Sequence, residues 1–160
     1  MTKPKLRKSL SHPGLLKAMR KEFKAIPETK PTAAIPLADH LMSGLAIFSL
    51  KYSSLLQFDN DRHDAVVRHN LQTLYGIEQA PCDTYLRERL DDVDPRSLRK
   101  AFKRAFSLLQ RGKGVEGFTW LDDHYLLSVD GTGYFSSNRV HCDHCCEKQH
   151  RDGQIGRAHV

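Results

Sequence analysis

Two groups of side chains could do chemistry. The first is Asp130, in the run His124-Tyr-Leu-Leu-Ser-Val-Asp130-Gly-Thr-Gly-Tyr-Phe135. Leu126, Leu127 and Val129 suit a buried strand, Gly131 and Gly133 suit a tight turn, and an aromatic pair follows. A carboxylate at the end of a buried strand needs a hydrogen bond or a cation to offset its desolvation. Asp-Gly is also a common hairpin turn, in which Asp130 would only cap the turn. The second group is His141-Cys142-Asp-His144-Cys145-Cys146-Glu-Lys-Gln-His150. Cys142, Cys145 and His150 carry the first three positions of a zinc-knuckle spacing, Cys-x2-Cys-x4-His. The fourth position falls on Ile155, so a zinc site would lack a ligand. The plainer alternative is a turn or strand pair with buried thiols and exposed histidines.

The elements that must position these groups are helices first and strands after. A short amphipathic helix follows Pro13-Gly14, with Leu15, Leu16, Met19 and Phe23 at spacings of three and four. Pro27, Pro31 and Pro36 punctuate a linker. A helix from Pro36 to about Lys51 carries Leu37, Leu41, Leu45 and Phe48, with Met42 and Ile47 widening the face. Residues 53–58 suggest a short turn, and Asp59, Asn60 and Asp61 offer caps for a helix bearing Val66, Val67, Leu71 and Leu74 and ending at Gly76. Pro81-Cys-Asp-Thr84 opens another helix, bearing Tyr85, Leu86 and Leu90. Asp94-Pro95 opens the last, where Leu98, Ala101, Phe102, Ala105, Leu108 and Leu109 line one face. Gly112, Gly114 and Gly117 break the pattern, and strand-like alternation follows near 118–120 and 125–129.

Charge is uneven over the 160 residues, whose net formal charge is +6. Residues 1–31 hold nine Lys/Arg, Lys3, Lys5, Arg7 and Lys8 among them, against Glu22 and Glu28; the remainder holds 16 basic and 17 acidic side chains. Such an arm suits a polyanion, above all nucleic acid, or serves as a solvated tail. A second basic element carries Arg96, Arg99, Lys100, Lys103, Arg104, Arg111 and Lys113, with no acidic residue between 95 and 115. It would lie along a DNA backbone or form an ordinary solvated face. No secretory leader is visible, and the most apolar segment, 41–50, falls well short of the roughly 20 residues that span a bilayer. A cytoplasmic protein with no membrane partner is expected, its cysteines reduced thiols or metal ligands.

Four stretches resemble the N-terminal part of a bacterial insertion-sequence transposase of the DDE class. They are Ala38-Asp-His-Leu-Met-Ser-Gly-Leu-Ala-Ile-Phe-Ser-Leu-Lys51 with Ser54-Leu-Leu-Gln-Phe58-Asp; Pro81-Cys-Asp-Thr-Tyr-Leu-Arg-Glu-Arg-Leu-Asp-Asp-Val-Asp94-Pro95; Leu127-Ser-Val-Asp130-Gly-Thr-Gly-Tyr-Phe-Ser-Ser137; and Cys142-Asp-His-Cys145. The resemblance implies a helical region followed by a ribonuclease-H-like catalytic domain, with Asp130 as the first of three metal-binding carboxylates. Three such carboxylates hold two Mg²⁺ or Mn²⁺ ions that drive phosphodiester cleavage and strand transfer in the full-length family. It also implies DNA as partner, a homo-oligomer in the full-length enzyme, and nucleoid association when DNA is bound.

Only thirty residues follow Asp130, and Asp143, Glu147 and Asp152 have no claim to the two later carboxylate positions. Residues 154–160 do not continue the likeness and read as a library- or vector-derived tail. The expected architecture is therefore mostly α with a small β element: a basic arm and linker over 1–35, a helical region over 36–116, the first hairpin of a truncated ribonuclease-H-like α/β domain over 117–153, and the tail. The stable body is expected over 36–110, with 1–30 and 142–160 poorly ordered, and the function is expected to be DNA binding without strand transfer. The alternatives are a small zinc-dependent nucleic-acid-binding protein and a helical interaction module.

Overall fold

The computed structural model describes residues 10–122 and 124–125, together with the backbone of 135–137, 146–149 and 155–159. The fold is mostly helical with small β elements. Its contacts divide it into two compact units, Met1–Gly117 and Phe118–Val160.

In the first unit six α-helices follow one another: α1 His12–Lys24, α2 Leu37–Ser49, α3 Leu55–Asp61, α4 Ala65–Tyr75, α5 Asp83–Asp91 and α6 Arg99–Arg111. Their boundaries have local causes. The Ser11 hydroxyl accepts from Gly14 N–H at the start of α1, with Pro13 in its first turn. Asp64 accepts from the N–H groups of Val66 and Val67 at 2.9 and 3.0 Å and so starts α4. Asp59, Asn60 and Asp61, expected as caps for that helix, lie instead within α3. Phe58 is fully buried and draws this segment into helix, leaving the cap to the next Asp. Gly76 ends α4 at φ 66, the left-handed conformation that glycine adopts most readily, and Ile77 N–H returns to the Leu71 carbonyl at 3.0 Å. Asp94 caps a 3₁₀ turn over Pro95–Leu98 that leads into α6.

Helix α2 is the centre of this unit. It is apolar nearly all round, as expected of a helix covered on several sides, and it packs against α1, α4 and α5. Leu37, Leu41, Met42, Ala46 and Ile47 join Phe58, Leu71, Tyr75, Ile77, Leu86 and Ala101 in one core. Leu16, Met19 and Phe23 of α1 belong to the same core. The helical body therefore reaches back to α1, and residues 12–24 are not an arm. The apolar stripe of α1 is buried against α2, α4 and α6. At the end of α6 a Cβ at position 112 would lie 2.1 Å from Leu10 Cδ1, so any residue larger than glycine there requires the Leu10 side chain to move.

The second unit holds two small sheets. Strands β1 Thr119–Trp120 and β2 His124–Tyr125 pair antiparallel, Thr119 opposite Tyr125. Strands β3 Phe135–Ser137, β4 Cys146–Gln149 and β5 Ile155–His159 form a second sheet in the order β3-β5-β4. The segment set aside as a tail thus supplies the middle strand, Ser136 opposite Ala158 on one side and Glu147 opposite Arg157 on the other. Among the described residues no helix is long and apolar enough to cross a membrane.

Candidate nucleic-acid interface

On α1 the residues that face away from the core are basic. Leu16, Met19 and Phe23 point inward, while Lys17, Lys21 and Lys24 recur at i, i+4 and i+7 along one exposed stripe. Helix α6 packs against α1. Its buried position is Ala101, with Ala105 half-buried, and these small residues let the two helices approach closely. Arg104 stands on the flank of α6 beside α1. Lys100 and Arg111 share its stripe at i−4 and i+7.

The result is a groove of about 510 Å³ lined by Gly14, Lys17, Ala18, Arg20, Lys21, Lys24, Arg104 and Leu108. Five of these eight residues are cations and none is a carboxylate. Arg20 is already engaged: its Nη2 donates to Asp39 Oδ1 at 2.8 Å, and Asp39 Oδ2 accepts from Glu78 N–H at 3.0 Å. Lys17, Lys21, Lys24 and Arg104 form no ion pair among the described residues. Cations held together without counter-charges raise the local potential and favour a polyanion. A neighbouring recess of about 240 Å³ at the start of α2 differs in kind. There Arg20 and Lys24 share the lining with Glu28, Asp39 and Glu78, and the charges offset one another.

Behind that recess lies a buried polar cluster. Arg89 of α5 is fully buried and donates to Glu28 and, at 3.0 Å, to Thr29 Oγ1. Glu28 also accepts from Leu37 N–H at 2.8 Å and from Lys30 N–H at 3.1 Å. It thereby caps α2, which has no side-chain cap of its own. Burial alone would raise the Glu28 carboxyl, but the Leu37 and Lys30 amides and Arg89 outweigh it and hold it below its ordinary value. His40 is fully buried against Tyr85, their ring centroids 4.8 Å apart. Its Nδ1 lies 3.0 Å from the Pro36 carbonyl. A carbonyl can only accept, so Nδ1 carries the proton. Among the described residues, buried Nε2 has no hydrogen-bond partner, nor has buried Ser43 Oγ. Burial pushes the His40 imidazole down, and Arg89 adds to this. Neither His40 nor Ser43 lines a described recess.

Of the residues singled out in the sequence, Arg96, Arg99, Lys100, Lys103 and Arg104 are all exposed, and the structure brings Arg104 to the groove. Lys3, Lys5, Arg7 and Lys8 lie outside the described residues, as do Asp130 and the zinc candidates Cys142, Cys145 and His150. Among the described residues no group of three or more His, Cys, Asp or Glu could hold a metal ion. In the sequence Lys17, Lys21 and Lys24 fall within the basic stretch 1–31 rather than in a separate site. Their i, i+4, i+7 spacing was the available signal. The buried cluster had one too, since Asp39, His40 and Ser43 interrupt an otherwise apolar helix. No family model matches the chain, and neither the curated proteins nor the solved structures provide a match.

Proposed function

We propose that this chain is a DNA-binding segment of a DDE-class transposase and that the groove between α1 and α6 takes the phosphate backbone. One observation carries the binding proposal. Two basic helices some eighty residues apart in sequence meet at a groove lined by five cations and no carboxylate. The transposase assignment rests on the four stretches quoted above. Metal-dependent cleavage and strand transfer belong to the full-length family that the four stretches resemble, and the proposal here is DNA binding.

Each neutralised phosphate releases counterions, so affinity falls steeply with salt, with a log–log slope of about −0.9 per contact on duplex DNA. Fluorescence anisotropy with a labelled duplex should give a slope of about −4 if Lys17, Lys21, Lys24 and Arg104 all engage. In the triple variant Lys17→Gln/Lys21→Gln/Arg104→Gln the slope should flatten by about 3, and affinity should fall alike on every sequence tested. An unchanged slope in that variant would remove the groove from DNA binding.

A further inference from the structure

Helix α6 has a second exposed flank, and it is aromatic. Phe102 and Phe106, one turn apart, are 58% and 49% exposed, and Phe48 at the end of α2 is 84% exposed. Phe48 and Phe102 line the same recess of about 260 Å³, with Leu45, Leu90, Val93 and Leu98 beneath them. Arg99 precedes Phe102 by three residues and Lys103 precedes Phe106 by three, both cations exposed on the same helix. The nearby carboxylates are partly spoken for: Asp92 pairs with Lys30 at 2.8 Å, and Asp94 caps Arg96 N–H.

We infer that this recess binds unpaired nucleic-acid bases, which stack on Phe48 and Phe102 while Arg99 and Lys103 hold the adjoining phosphates. The inference rests on the nucleic-acid reading of the α1/α6 groove and narrows its substrate class to one with single-stranded character. Exposed aromatic rings interleaved with cations are the arrangement that single-strand binding uses, because every base offers a π-face and every nucleotide a phosphate. On α6 cations and aromatic rings alternate, Arg99 one turn from Phe102 and Lys103 one turn from Phe106, on a helix without a carboxylate, while the recess itself is lined by apolar residues.

The test is a titration of the full chain with a labelled oligo(dT), an abasic strand of equal length and a duplex of equal length. Phe48→Leu and Phe102→Leu keep apolar bulk at exposed positions and remove the stacking face. The wild-type chain should bind oligo(dT) roughly tenfold more tightly than the abasic strand, and each Leu variant should erase most of that preference and leave duplex binding unchanged. Leu variants that match wild type on all three ligands, while the groove triple variant weakens all three, would overturn this inference and leave the groove reading intact. Absence of binding to any of the three ligands would sink both. Leu variants silent on nucleic acid but altered in sedimentation velocity would assign the face to protein contact, also against the inference.

Discussion

Arg89 and Lys21 are both cations on helices of one body, and they stand in opposite circumstances. Arg89 is fully buried and is met by Glu28 and Thr29. Lys21 is exposed and meets no carboxylate among the described residues. The difference follows from desolvation. A charge taken from water must be compensated or the body does not form, whereas a charge left in water needs no partner. The same rule separates adjacent residues of α1, where Arg20 reaches inward to Asp39 and Lys21 outward to the groove. Pairing of a buried charge therefore marks one that holds the fold, whereas an exposed charge such as Lys21 is under no such requirement.

The largest effect expected from this contrast is at Glu28. Glu28→Gln removes the charge that compensates Arg89 and weakens the cap on Leu37 N–H. Breaking a buried pair from one side is strongly destabilising, and Glu28 is itself about one-third exposed, which lessens the effect, so a loss of about 3 kcal/mol is expected in urea denaturation. Arg89→Met should lose less, because Glu28 can then turn toward water and the apolar side chain fills the site. A loss below about 1 kcal/mol for Glu28→Gln would mean that buried charge in this body is held by something other than pairing.

The next effect is in pH. Burial depresses the His40 imidazole from its ordinary 6.5, and the charged and titratable groups around it are Arg89 and Tyr85 on α5, Glu28 in the α1–α2 linker and Asp39 on α2 itself. The folded state therefore binds the proton less readily than the unfolded state. The stability contributed by neutral His40 is full above 6.5 and declines as pH falls below it, by about 1.4 kcal/mol for each unit between the two pKa values. Glu28 adds a separate step, because its depressed carboxyl contributes stability above the ordinary 4.5 that is lost as pH falls through the lower folded value. His40→Gln keeps an N–H for the Pro36 carbonyl and should flatten the upper step while leaving the lower one. An upper step that persists in this variant would place the titration on another group.

Much of this architecture was legible in the residues, and the parts that were not depend on distant partners. The Gly76 stop and the Asp94 cap are local patterns and appear where spacing puts them, whereas the apolar faces shift: Phe48 of α2 and Val66 and Leu74 of α4 are exposed, and α4 buries Leu71 and Tyr75 instead. Helix α1 was visible as an amphipathic stripe, yet its place in the body depends on Arg20 meeting Asp39, nineteen residues on, and on packing against α6. Proline and lysine content near the N-terminus pointed the other way. On α6 the apolar face was legible but its centre was not. Spacing puts Phe102 on the buried face, whereas contact with the neighbouring helices falls on Ala101 and leaves Phe102 58% exposed. Composition cannot tell which part of a wide apolar stripe another helix will cover. For the groove, the sequence supplied both basic elements but not their juxtaposition.

The smallest expected effect on stability completes the comparison. Lys17→Gln/Lys21→Gln/Arg104→Gln removes three exposed charges that form no ion pair among the described residues, and each surface change should shift stability by no more than about 0.5 kcal/mol. Relief of mutual repulsion among the cations would make the combined change slightly stabilising. The variant should therefore unfold near the wild-type urea midpoint while losing most of its salt-dependent DNA affinity, whereas Glu28→Gln should show the reverse, with weakened stability and DNA affinity retained by the folded fraction. If the groove variant instead lost as much stability as Glu28→Gln, its lysines would be bracing α1 against α6. Their lack of carboxylate partners would then say nothing about a ligand, and the distinction between paired and unpaired charge would fail as a guide to function in this chain.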